Sequence, residues 1–253
     1  MQKRIKIGVV PAAGAGARLG YLSNLLPKTL FPIYDRPILH HIIDLMESLG
    51  IEDIYIIVNY HKEKIKEYHK NIRTGLNAKL HFIEQKRLDG LANAILLTEK
   101  YTKKQPFMVI LSDECIIADS LEPMIELFSH SGSIVTEAVI KESDRDILRQ
   151  TCSANIDKEG RMLEIIEKPE SPPYMTRGCG IYLFKPEIFN FIRSTSPHPV
   201  RKEKDITSVI NNVAGTGKAY GYFLKGHNIN INDYEELLRA NLLFKKHCGK
   251  KDK

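Results

Sequence analysis

Residues Ile5–Gly20 read IKIGVVPAAGAGARLG, and this stretch decides the fold. Ile5–Val10 is a short apolar run of the kind that forms a strand covered on both faces. It runs directly into a loop of small residues in which Gly14 and Gly16 free the backbone to turn sharply. The segment imitates a secretory leader, but Lys6 and Pro11 interrupt its apolar run. A first strand feeding a glycine-rich loop accounts for the same letters.

Outward from that strand, helical and extended patterns alternate. Pro37 opens a helix in which Ile38, Leu39, Ile42, Ile43, Leu45, Met46 and Leu49 share one face, and Gly50 ends it. A strand at Tyr55, a charged helix from Lys62, a strand at Leu80–Ile83 and a helix near Gly90 lead to a strand at Phe107–Leu111. This succession predicts a mainly parallel sheet flanked by helices. In the second half, a turn at Asp157–Gly160 predicts a β-hairpin between CSANI and MLEII. Gly180–Phe184 and Ala219–Leu224 read as strands, Asp205–Val213 as helix, and Asp233 with Glu236 as the capping box of the last helix. One α/β domain over 1–253 is expected, with a first half at 1–140, a second half at 141–232, and a closing helix and tail at 233–253.

The chain has 253 residues, 43% of them hydrophobic, and a formal net charge of +6, so disorder is excluded and an anionic small ligand suits the charge better than nucleic acid. Cys115, Cys152, Cys179 and Cys248 form no C-x-x-C pair, which favours a reducing, cytoplasmic setting. No apolar run is long enough to span a bilayer. His40-His41 lies within an amphipathic helical pattern and reads as packing, not as a metal pair. The tail KKHCGKKDK reads as a solvated end.

Small residues at Ala12, Ala13, Gly14 and Gly16 allow backbone amides to cradle phosphate, and Arg18 can add a charge-assisted fork. Leu19 stands where a dinucleotide fingerprint needs glycine, and no Lys-Ser or Lys-Thr follows as in a Walker loop. The continuation, PAAGAGARLGYLSNLLPKTLFPIYDRPIL, resembles the signature of the sugar-phosphate nucleotidyltransferase (nucleotide-sugar pyrophosphorylase) family: G-x-G-x-R, then Pro27-Lys28, then Arg36-Pro37. Four later segments keep the family's order: Gln85 with Gly90-Leu91-Ala92, Leu111-Ser112-Asp113, Glu167-Lys168-Pro169 with Gly180-Ile181-Tyr182, and Asn228–Asn232.

The resemblance implies a Rossmann-like nucleotidyltransferase type A fold with a β-hairpin acceptor region. It also implies Mg²⁺-dependent attack of an acceptor phosphate on the α-phosphorus of a nucleoside triphosphate. It assigns Arg18, Lys28 and Lys168 to charge neutralisation in the transfer. Ala12, Ala13, Gly14, Gly16, Gln85, Gly90 and Ser112 go to the nucleotide, and Glu167, Lys168, Arg177 and Gly180 to the acceptor. Asp113 and Asn230 go to the metal, with Asn228 as the alternative second ligand.

The chain departs from hexose-handling members in having no tryptophan, and in carrying Tyr174, Met175 and Arg177 after Glu-Lys-Pro. Arg177 in that place suggests an acceptor with extra negative charge. Ala12-Ala13 favours a pyrimidine nucleotide. The expectation is therefore CTP and a small phosphorylated acceptor such as L-glutamine phosphate, as used in capsule polysaccharide assembly. A UTP- or dTTP-dependent hexose-1-phosphate enzyme is the alternative, and a non-catalytic nucleotide-sensing subunit is the reading from another class. Neither a nucleic acid nor a membrane is expected as partner, and self-association is left open.

Overall fold

The computed structural model describes residues 4–14, 16–72, 77–102, 104–199 and 202–248. After β1 (Ile7–Ala12) come α1 (Gly20–Leu25), the small ribbon β2 (Pro32–Ile33) and β3 (Arg36–Pro37), and α2 (Ile38–Ser48). The chain continues through β4 (Asp53–Val58), α3 (Lys62–Ile72), β5 (Lys79–Glu84), α4 (Leu91–Leu96), α5 (Glu99–Thr102), β6 (Phe107–Ile110), β7 (Glu114–Ala118) and α6 (Glu122–His130). Then follow β8 (Val135–Lys141), α7 (Arg145–Gln150), β9 (Cys152–Ile156), β10 (Met162–Glu167), β11 (Thr176–Phe184) and α8 (Ile188–Ser194). The last elements are α9 (Ile206–Ala214), β12 (Ala219–Phe223), β13 (Gly226–Asn230) and α10 (Tyr234–Cys248).

Seven strands form the central sheet in the order β12-β8-β11-β6-β1-β4-β5, and only β11 runs against the others. The period of two separates two cores. Val10, Ala12, Ile54, Ile56, Met108 and Ile110 face α2 and α6, while Ile7, Val9, Ile57, Phe107 and Val109 face α4, α8 and α9. From β1 the chain adds β4 and β5 on one side, then crosses to place β6 on the other. A crevice opens beyond the carboxyl ends of β1 and β6, where the strand order reverses.

Two ribbons stand above that edge. β9 and β10 form the hairpin expected around Asp157–Gly160, and β7 pairs antiparallel with β13, bringing Asn230 opposite Glu114. The position 140/141 falls within β8, so the two halves share one sheet. α10 is capped as its sequence indicates, with one shift: the Glu236 amide donates to Asp233, but the Glu236 carboxylate accepts from the amide of Asn232. His40 bonds Tyr68, and His41 bonds the Ile33 carbonyl and packs on Phe244, so both serve packing. Cys115, Cys152 and Cys179 are free and buried. Among the described residues no helix is long and apolar enough to cross a membrane. The end of the basic tail lies outside the described residues.

Candidate active site

Two cavities meet at the carboxyl edge of the sheet. The smaller, of about 230 Å³, is walled by Ala12, Gly14, Gly16, Lys28, Thr29 and Ser112. The larger, of about 280 Å³, lies over β8, β10 and β11 and takes in Arg18, Glu137, Glu167, Lys168, Gly178 and Gly180. Leu91, Leu111 and Asp113 belong to both walls. The seam between the cavities is thus a carboxylate.

Asp113 follows β6 through a short turn, and its Oδ2 accepts a hydrogen bond of 2.6 Å from Lys28 Nζ. These side chains are only 16% and 23% exposed for Lys28 and Asp113. Their partial desolvation makes the pair stronger than a surface bridge. Lys28 stands on a short 3-10 turn whose fold is tight: Gly16 has φ +66°, and a Cβ there would lie 3.2 Å from Lys28 Cβ. Beside Lys28, the buried Thr29 hydroxyl has no hydrogen-bond partner among the described residues. A phosphate oxygen in the small cavity is the kind of acceptor that would satisfy it.

The larger cavity is shaped by a bulge in β11, between its pairings at Gly178 and Tyr182 with β8. Gly180 at the bulge has φ +63°, and a Cβ there would come within 2.5 Å of Glu114 Oε1. Glu114 is buried, and its two oxygens accept from the amides of Asn228 at 2.8 Å and Asn230 at 2.6 Å. Burial, followed by the neighbouring charge of Asp113, holds its pKa well above the usual carboxylate range. Glu114 therefore fixes the orientation of Asn230, leaving its Oδ1 as an oxygen donor, which accepts from the Asn232 amide. The backbone ties the same corner, with the Ile231 amide donating to the Asp113 carbonyl at 2.9 Å.

Asp113 and Asn230 together offer hard oxygen ligands at the seam, a donor set suited to Mg²⁺. Three or more His, Cys, Asp or Glu side chains arranged to hold a metal are absent among the described residues. The remaining coordination would come from water and phosphate, as is usual for this ion. Asn228, the alternative ligand, is itself engaged: its Oδ1 accepts from Arg177 at 2.6 Å while its amide donates to Glu114.

Lys168 follows β10 in a left-handed conformation, φ +46°, with its amide donating to the Thr151 carbonyl. Such backbone in a lysine costs energy; Lys168 lines the larger cavity, its Nζ 3.9 Å from Glu167 Oε1. Glu167 accepts from the Thr207 hydroxyl at 3.0 Å. Arg18 also lines the larger cavity, not the one formed by the loop that carries it.

Three expected residues stand differently. Arg177 does not line the cavity: it is 4% exposed, and its guanidinium is taken up by Asn228 and Glu142. The extra negative charge expected of the acceptor loses its basis, because that cation points away from the pocket. Gln85 is buried and lines neither cavity, its amide turned toward Asp89 and the Gly90 carbonyl. Ala13 is buried in the core beneath the loop. Gly90 does line the larger cavity, with φ +110°, and a Cβ there would meet the Lys204 carbonyl at 2.3 Å.

Residues that sequence reasoning passed over include Thr29, Glu114, Glu137 and Gly178. Glu137 carried a signal: a carboxylate in the middle of the apolar strand VTEAVI breaks the pattern of a buried strand.

A doubly wound sheet with a glycine-loop cavity, a lysine–aspartate seam and an adjoining pocket suits a nucleotide-dependent transferase. The chain belongs to the nucleotidyl transferase family, whose model matches residues 7–242. It is 33% identical over 233 residues to the bifunctional protein GlmU of Methanocaldococcus jannaschii, covering 92% of this chain and 53% of that longer protein. It is also 27% identical to a putative UTP–glucose-1-phosphate uridylyltransferase of Bacillus subtilis, over 93% of this chain and 95% of the relative. A crystal structure of UDP-glucose pyrophosphorylase complexed with UDP-glucose superposes with a TM-score of 0.86 at 26% identity, covering 96% of this chain and 99% of that one.

Proposed function

We propose that the protein transfers a nucleoside monophosphate from CTP to a small phosphorylated acceptor, with L-glutamine phosphate the leading candidate, and releases pyrophosphate. The observation that carries the reading is the pair of cavities meeting at Asp113 and Lys28, one walled by a glycine loop and one by Lys168. An acceptor phosphate is already an anion, so the reaction needs alignment and charge neutralisation more than a general base. Loop amides at Gly14 and Gly16 would hold the leaving phosphates. Lys28 would face the α-phosphate, exchanging its bond to Asp113 for one to the reacting group as charge develops there. Lys168 would hold the acceptor phosphate in line, and Arg18 would neutralise charge from the acceptor side. Mg²⁺ held by Asp113 and Asn230 would supply further neutralisation of the triphosphate.

A pyrimidine triphosphate, CTP or UTP, is favoured by the Ala12-Ala13 doublet, and a non-hexose acceptor by the absence of tryptophan. Across the whole chain the sequence is similar to CTP:phosphoglutamine cytidylyltransferase of capsule phosphoramidate biosynthesis. A second reading, UTP with glucose-1-phosphate, draws on the names carried by the Bacillus subtilis relative and the UDP-glucose pyrophosphorylase structure.

The test is pyrophosphate release with Mg²⁺, crossing CTP, UTP, dTTP, ATP and GTP against L-glutamine phosphate, phosphocholine and glucose-1-phosphate. Turnover of CTP with a non-sugar phosphate is expected. Turnover confined to UTP or dTTP with glucose-1-phosphate would replace this reading with the second.

A further inference from the structure

Glu137 has no part in the transfer outlined above, yet it stands in the wall of the acceptor cavity. It lies on β8 opposite Tyr182, which hydrogen-bonds the carboxyl, and is 1% exposed; among the described residues its Oε2 has no hydrogen-bond partner. A buried carboxylate oxygen without a partner is costly, and such atoms are kept where a ligand completes them. Space for it is created by Gly178, where a Cβ would lie 2.0 Å from Glu137 Oε1. Among the described residues the cavity wall is acidic: Asp113, Glu114, Glu137, Glu167, Glu203 and Asp205 stand in it beside two cations, Arg18 and Lys168.

We propose that Glu137 selects the acceptor, its Oε2 receiving an N–H from an ammonium group at the end of the acceptor remote from the phosphate. The inference rests on reading the larger cavity as the acceptor's and names the chemical class it takes, an aminated phosphate. A sugar hydroxyl could complete the hydrogen bond to the uncharged carboxyl, but it would gain no ion pair. Tyr182, Glu167, Glu114 and Cys152 are the titratable groups around it, and none supplies a cation. Burial pushes the Glu137 pKa up to about 8, so an ammonium ligand that holds it ionised gains an ion pair no neutral ligand can form.

The experiment compares wild type with E137Q, which is nearly isosteric, and Gly178→Ala, which displaces the carboxylate without removing it. Thermal melts establish that each variant is folded. The probes are L-glutamine phosphate and phosphoethanolamine, which carry ammonium N–H groups; phosphocholine, a cation without N–H; and glucose-1-phosphate. Both variants should raise KM for the ammonium acceptors at least tenfold, leave the CTP KM within twofold, and change KM for glucose-1-phosphate little. Unchanged KM for ammonium acceptors in E137Q would overturn the proposal while leaving nucleotidylyl transfer intact. A parallel calorimetric titration of each acceptor, with Mg²⁺ and a non-transferable α,β-methylene CTP analogue, separates the two readings. Ammonium-selective binding that E137Q abolishes, without turnover in any assay, would sustain this inference and overturn the transfer. Failure of every ammonium acceptor to bind or react would overturn the inference.

Discussion

At the scale of single residues, the site is a balance of charges held out of bulk water. Lys28 and Asp113 neutralise one another at 2.6 Å, and each is also the group that a nucleotide would recruit. Asp113→Asn is expected to lower turnover by roughly a hundredfold or more, the usual cost of removing one preorganised electrostatic group. Triphosphate binding should survive in part, because the loop amides remain. Steady-state kinetics beside equilibrium nucleotide binding checks this, and unchanged turnover would remove Asp113 from the site. Glu137 gives a second prediction, about stability. Its carboxyl is raised from 4.5 to about 8 by burial, so between those values the folded chain binds more protons than the unfolded one. Stability from this group is therefore fully present below the unfolded value and is lost as pH rises through about 8. E137Q, which cannot ionise, should melt higher than wild type at pH 8.5 and differ least at pH 5. A shift of equal size at every pH in a series of thermal melts would show that the carboxyl is ionised throughout.

Elements explain why some of this was legible in the sequence and some was not. The loop after β1, Lys28, Asp113 and Lys168, which the family resemblance singled out, all stand in the cavity walls because each lies at or just past the end of a strand or turn on that edge. Arg177 and Gln85 stand outside the cavity walls because their surroundings come from distant parts of the chain. β13 brings Asn228 onto Arg177, and the Lys204 backbone lies close over Gly90, whose carbonyl accepts from the Gln85 amide. The bulge in β11 has the same origin, since it is β8 and β7 that supply the carboxylates fitting beneath Gly178 and Gly180. Arg177 is consequently a strut between strands. Arg177→Leu would strip the partner from Glu142 and leave the Asn228 oxygens unpaired in the interior. A loss of about 3–5 kcal/mol in denaturant unfolding is expected, the usual range for breaking a buried charged pair. A loss under about 1 kcal/mol, typical of an exposed pair, would mean that Arg177 is not buried in solution.

Over the whole molecule, the crossing from β5 to β6 places both cavities on one edge of the sheet and leaves the two apolar cores to the helices. The glycine loop comes from the amino-terminal end of the chain and Asn230 from near its carboxyl-terminal end. A triphosphate joining the two is thus a ligand of the folded state alone, since the unfolded chain brings no such groups together. Linkage then requires binding to raise the melting temperature, by about 2.7 kcal/mol of stability at a hundred times the dissociation constant. For a chain of this size that corresponds to a rise of roughly 5–10 °C. CTP with Mg²⁺ is expected to give that rise, with a smaller one when Mg²⁺ is withheld, because the triphosphate charge is then left to Lys28 and the loop. In Asp113→Asn the dependence on Mg²⁺ should shrink toward zero while the metal-free part persists. Melting curves of the two proteins, with and without CTP and Mg²⁺, measure both terms; an equal Mg²⁺-dependent rise in both proteins would place the metal away from the seam at Asp113.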